Sequence, residues 1–78
     1  MTKTMNRKNH ELGIDIEFRI NDVANTVFII FRNGISFESY IIEKGMAKMM
    51  EFSNIAFPPS INRHIDRMIP AYVQQFSH

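Results

Sequence analysis

Thr26-Val-Phe-Ile-Ile-Phe-Arg-Asn-Gly-Ile-Ser-Phe-Glu-Ser-Tyr-Ile-Ile42 is two apolar runs around an Asn-Gly pair, and the rest of the fold is anchored on it. Asn33-Gly34 accepts positive φ at both central positions of a turn. That matches a type I′ hairpin, whose twist suits the flanking strands. The pair therefore predicts strands over about 26–32 and 35–42. Arg32 would lie opposite Ile35, Phe31 opposite Ser36, Ile29 opposite Glu38 and Val27 opposite Tyr40.

Upstream, Leu12-Gly-Ile-Asp-Ile-Glu-Phe-Arg-Ile20 alternates strictly between apolar and polar residues, so a half-buried strand is predicted over about 12–20. Asn21-Asp-Val-Ala-Asn25 has turn chemistry, because Asn and Asp tolerate left-handed backbone and bond their own main chain. A five-residue loop there would set Phe18 opposite Phe28 and Ile16 opposite Ile30. Residues 1–10 are polar and aperiodic and read as a mobile tail ahead of a single domain over 11–78.

Downstream the period changes. Ile42, Met46, Met49, Met50 and Ser53 recur at helical spacing, which predicts a helix over about 43–54, weakened by Gly45. Pro58-Pro59 ends that element, and Ser60 is an expected N-cap. Ile61, Ile65, Met68, Ile69, Tyr72, Val73 and Phe76 form an apolar stripe for a helix over about 60–76, kinked or broken at Pro70. The expected architecture is α+β in the order βββαα, a three-stranded antiparallel sheet with two helices on one face.

These registers assign two faces. The expected core face holds Ile14, Ile16, Phe18, Ile20, Phe28, Ile30, Ile35, Phe37 and Ile41. The expected open face holds Val27, Ile29, Phe31 and Tyr40, bordered by Glu17, Glu38 and Arg19. The middle strand is thus apolar on both sides, whereas a sheet with one wet face should alternate on every strand. Such a stripe needs a cover. Three covers compete: the stems of neighbouring long side chains, a terminal segment folded across, or a second molecule.

The chain has 78 residues, no cysteine, 45% hydrophobic and 22% charged residues, and a formal net charge of +1. This is one globular domain with little surface to bury, without disulfides or thiolate metal sites, and such domains often gain stability by oligomerising. Its longest apolar run, Val27 to Phe31, falls far short of a membrane span, and no apolar stretch follows Lys3, Arg7 and Lys8 as in a signal peptide. A cytoplasmic location is expected.

Residues for chemistry are sparse. Glu17 and Glu38 would flank Ile29 at about 10 Å, two strand spacings, without a pocket to perturb either. His10, His64 and His78 lack the converging partners of a zinc site. The sequence holds no nucleophile motif and no Gly-rich phosphate loop. Met46, Met49 and Met50 form a polarizable cluster of the sort that adaptable surfaces use, though helical spacing would turn them to the core. No catalysis, cofactor or metal is expected.

Lys44 and Lys48 on the first expected helix, and Arg63 and Arg67 on the second, each stand one turn apart. With Lys3, Arg7 and Lys8 they outline an alternative nucleic-acid surface. Three strands followed by a helix bearing Lys44 and Lys48 are similar in order to the latter part of a double-stranded-RNA-binding domain. The N-terminal helix and dense lysine cluster of that family have no counterpart here. The reading that accounts for the sticky stripe is a small protein-contact module. It would act as a regulator, inhibitor or accessory protein through Val27, Ile29, Phe31, Tyr40, Glu17 and Glu38, paired with itself as a homodimer and with another protein.

Overall fold

The computed structural model describes residues 2–76. It contains five strands, β1 Thr2–Asn9, β2 Ile14–Asn21, β3 Thr26–Asn33, β4 Ser36–Glu43 and β5 Met46–Phe52, followed by one helix, α1 Pro59–Phe76. The strands form one antiparallel sheet in chain order, each paired with its sequence neighbour. The α+β class is as expected, but the order βββαα is not: the fold has two further strands and one helix fewer.

Three corrections lead to that result. First, residues 43–54 are not a helix. Glu43 pairs with Met46, leaving Lys44-Gly45 as a two-residue loop with φ of 53° and 74°. Positive φ at both positions makes this a type I′ turn. Gly45, read as a weak point in a helix, is the hinge of a hairpin. The 3–4 spacing of the methionines is accidental: Met46, Met49 and Met50 are all exposed on an edge strand. The order shared with double-stranded-RNA-binding domains disappears with this helix.

Second, residues 2–9 are not a tail. They pair with β2 along its whole length, from Thr2 opposite Asn21 to Asn9 opposite Ile14. Only Met5 on this strand packs against the core. The Arg7 guanidinium lies 5.5 Å from the centroid of the Phe18 ring, so its stem lies over the apolar layer. An edge strand this polar forms because β2 offers it a hydrogen-bonding rail, and its lysines discourage further pairing.

Third, both registers around β3 differ from expectation. Asn33 pairs with Ser36, so the loop is Gly34-Ile35 rather than Asn33-Gly34. Gly34 has φ 60° and Ile35 stays at negative φ, as in a type II′ turn with glycine first. Asn33 instead donates from Nδ2 to the Gly13 carbonyl at 2.9 Å, tying two turns together at one end of the sheet. This shift keeps parity between β3 and β4. At the other side of β3 parity does change. Asn21 pairs with Thr26, so the loop is 22–25, four residues and not five. Phe18 therefore faces Ile29, and Ile16 faces Phe31. A slip of one residue turns a strand's whole side-chain set to the opposite face.

The two loops flanking β2 use the same device. Asn9 Oδ1 accepts the Leu12 N–H at 3.1 Å, and Asn21 Oδ1 accepts the Ala24 N–H at 3.0 Å. Each loop then ends on a residue at positive φ, Gly13 or Asn25. The repeated spacing, Asn9 to Gly13 and Asn21 to Asn25, marks both loops as one turn type.

The core lies between one sheet face and α1. It comprises Ile14, Ile16, Phe18, Val27, Ile29, Phe31, Ile42, Phe57, Ile61, Ile65 and Tyr72. The Tyr72 ring meets Phe18 edge-on at 5.1 Å and Phe31 at 6.4 Å, wedging the helix against β2 and β3. Burial pushes the Tyr72 phenol above its ordinary pKa.

Helix α1 begins at Pro59, not Ser60. The Pro58 carbonyl accepts the Ile61 and Asn62 N–H groups at 3.0 and 3.1 Å. Pro59 sits at the first helical position, where its missing N–H costs nothing. Pro70 does not break the helix, which runs unbroken to Phe76. Pro70 and Asp66 are both exposed, so the Asp66 carbonyl deprived of its partner faces water.

Candidate interaction face

The uncovered side of the sheet is built from cross-strand rows that the registers define. Alternation along each strand puts Thr4, Arg19, Phe28, Ile41 and Lys48 in one row, from β1 to β5. The next row is Asn6, Glu17, Ile30, Ser39 and Glu51. A third is Lys8, Asp15, Arg32 and Phe37. The centre of the face is apolar, with Phe28 and Ile30 on β3 and Phe37 and Ile41 on β4. Its flanks on β2 and β5 are charged, basic in the first row and acidic in the second.

A bulge sharpens this face. Tyr40 pairs with Met49 while Ser39 pairs with Glu51, so Met50 is the extra residue on β5. The bulge brings Met50 to the open side beside Glu51. There the two line a shallow groove with Arg19, Phe28, Ile30, Arg32, Phe37 and Ser39. Phe28 is 37% exposed and Met50 48%. Beyond the bulge, the Ser53 hydroxyl accepts the Phe37 N–H at 2.9 Å and donates to the Ile55 carbonyl at 2.8 Å, which ends the strand.

Glu17 organises the β2 flank. It pairs with Arg19 on its own strand and with Arg32 across β3 at 3.4 Å. The hydrogen bond from Arg19, reinforced by Arg32 and opposed by partial desolvation, holds its carboxyl below the usual range. Glu17 stays charged at neutral pH and fixes both guanidinium groups along the border of the apolar centre.

The residues expected on the open face are distributed otherwise. Val27, Ile29 and Phe31 are core residues at 6%, 0% and 0% exposure, beneath α1. Tyr40 lies on the same covered side, its ring 5.9 Å from Phe31. Its hydroxyl donates to Glu38 Oε1 at 2.7 Å. Burial and this carboxylate raise its pKa well above the ordinary value. Glu17 and Glu38 stand on opposite faces and are not a pair. The expected core residues Phe28, Ile30, Phe37 and Ile41 instead face outward, and Ile35 is an exposed turn residue.

The basic residues of the nucleic-acid alternative do not converge either. Lys48 is on the open face and Lys44 in the β4–β5 turn. Arg63 and Arg67 flank Asp66 on the outer side of α1, across the molecule from Lys48. His64 is half-buried beside His10 and Glu11, in a cleft between α1 and the β1–β2 loop. Among the described residues no three His, Asp or Glu side chains gather as metal ligands, and no helix is long and apolar enough to cross a membrane. His78 lies outside the described residues.

The open face differs from the expected one because the β2–β3 loop has four residues where five were expected. A signal was present in Arg32. The expected parity carries Arg32 to the core side, whereas the observed one brings it to Glu17.

No known protein family, curated protein or solved structure matches the chain.

Proposed function

We propose that this protein is a small non-catalytic module that works by binding protein through the open sheet face, as a regulator, inhibitor or accessory protein does. The observation that supports this reading is the uncovered apolar centre of Phe28, Ile30, Phe37, Ile41 and Met50. An antiparallel sheet with one wet face ordinarily carries polar residues on it. Here β3 and β4 carry Phe28, Ile30, Phe37 and Ile41 there, with Arg32 and Ser39 among their polar members. An apolar centre inside a charged border is the usual anatomy of a protein interface. Arg19, Arg32, Lys48, Glu17 and Glu51 supply the border and would set orientation more than affinity.

The test is a photo-crosslinking residue placed at Ser39, in the middle of the face, with the same residue at Arg63 on the outer helix surface as control. Irradiation in cells is expected to give discrete protein adducts from position 39 and none from position 63. An absence of protein adducts at position 39 sinks the proposal.

A further inference from the structure

From the row pattern on the open face we infer that its occupant is a second copy of this chain, packed face to face about a two-fold axis that runs across the strands. The axis passes between the Arg19–Phe28–Ile41–Lys48 row and the Glu17–Ile30–Ser39–Glu51 row. This inference rests on the protein-contact reading above and names its partner.

The argument is one of symmetry and charge. A two-fold between facing sheets must lie in the plane between them, and an isologous patch must complement itself. An axis across the strands, set between these rows, lays each strand over its own copy running the other way and puts each row opposite the other. Arg19 then faces Glu17 of the second copy, and Lys48 faces Glu51 of the second copy. Phe28 packs on Ile30 of the second copy, and Ile41 covers Ser39 of the second copy. Every contact occurs twice. In these two rows the charged flanks pair with opposite sign on β2 and on β5 and Phe28 meets Ile30 at the centre, while the third row lies outside them, its Asp15, Arg32 and Phe37 opposite Asn21, Thr26 and Glu43 of the second copy.

The competing axis, along β3, lays β2 over β4 and β1 over β5. It sets Arg19 against Ile41, Glu17 against Ser39, Lys48 against Thr4 and Glu51 against Asn6. Each charge would then be desolvated without an opposite charge from the second copy, which is costly. The row pattern thus selects one geometry of the two.

The size of the face agrees. Five strands at about 4.8 Å and eight residues at about 3.3 Å give roughly 24 by 26 Å, or about 600 Å² in plan before side-chain relief is added. A stable interface buries about 800 Å² of accessible surface on each partner. Sheets packed this way sit about 10 Å apart and within about 30° of alignment.

The closing experiment is a charge-swap mixture read by native mass spectrometry and sedimentation. The wild-type chain is expected to be a dimer at about 100 μM. Lys48→Glu and Glu51→Lys alone should each weaken self-association by about tenfold, because each reversal creates two like-charge contacts. Mixed together they should form heterodimers within about threefold of wild-type affinity, since both contacts in the mixed pair regain opposite signs. Three results overturn the inference: a monomeric wild-type chain at this concentration, single reversals that leave self-association unchanged, or a mixture with no preference for the heterodimer. A monomeric wild type overturns the inference even if a variant fails to fold, and a dimeric one leaves the geometry to the charge-swap mixture. Protein adducts of foreign mass at position 39 together with a monomeric wild type would remove the second copy and leave the protein-contact reading standing.

Discussion

Lys44 occupies the left-handed region at φ 53°, a conformation that costs an ordinary side chain about 1–2 kcal/mol. It stands first in a type I′ turn whose preferred pair is Asn-Gly. The sequence holds an Asn-Gly pair, but at 33–34, where the hairpin uses a different turn. Lys44→Asn is therefore expected to stabilise the protein by about 0.5–1 kcal/mol, seen as a higher urea midpoint with an unchanged slope. Gly45→Ala, at φ 74°, should shift the midpoint the other way. A destabilised Lys44→Asn protein would mean that the β4–β5 turn is not of this type.

Asn33 and Gly45 depart from their expected roles for one reason. Asn33 looks like a turn residue and serves as a clasp on the Gly13 carbonyl. Gly45 looks like a helix defect and forms a turn. In each case the local chemistry admitted two structures, and strand pairing selected one.

Among the elements, α1 was the most legible, because seven apolar residues from Ile61 to Phe76 keep helical spacing over four turns, directly after the Pro58-Pro59 break. Its expected break at Pro70 did not occur. Interior proline costs about 3 kcal/mol relative to alanine in an ordinary helix, yet here the orphaned carbonyl is solvated. Pro70→Ala is expected to stabilise the protein by about 1–3 kcal/mol in chemical denaturation. Destabilisation instead would show that local bending at Pro70 is needed to bring Tyr72, Val73 and Phe76 onto the sheet.

Strands β1 and β5 were the least legible. Both are edge strands whose residues gain little burial of their own. Of β1, only Met5 packs against the core, and β5 contributes Ala47. An edge strand is specified mainly by the backbone hydrogen bonds its neighbour offers, and these leave no periodic trace in side-chain type.

At the scale of the whole molecule, the decisive question is which face of β3 the helix covers. The observed register predicts opposite fates for neighbouring residues. Ile29→Ser removes a fully buried side chain and leaves a hydroxyl in an apolar layer, at a cost of about 3–5 kcal/mol, which a domain this small barely survives. Phe28→Ser, one residue away on the open face, should cost the fold of a single chain no more than about 1 kcal/mol, measured at a concentration too low for self-association, and leave the circular dichroism spectrum unchanged. The reverse order of sensitivity in thermal unfolding would restore the other register.

Local sequence accounts for β2, β3 and β4, for a C-terminal helix opening at Pro59, for an α+β domain, and for an apolar sheet face without an obvious cover. Those properties follow from alternation, helical periodicity and turn chemistry, which act over a few residues. Which apolar side of β3 lies uncovered was a matter of long-range packing. Val27, Ile29 and Phe31 on one side, and Phe28 and Ile30 on the other, satisfy a strand pattern equally well. The choice turned on a loop of four residues instead of five, and on the total burial gained when the larger set met Ile14, Ile16, Phe18 and α1. Arg32, left outside that core, found Glu17.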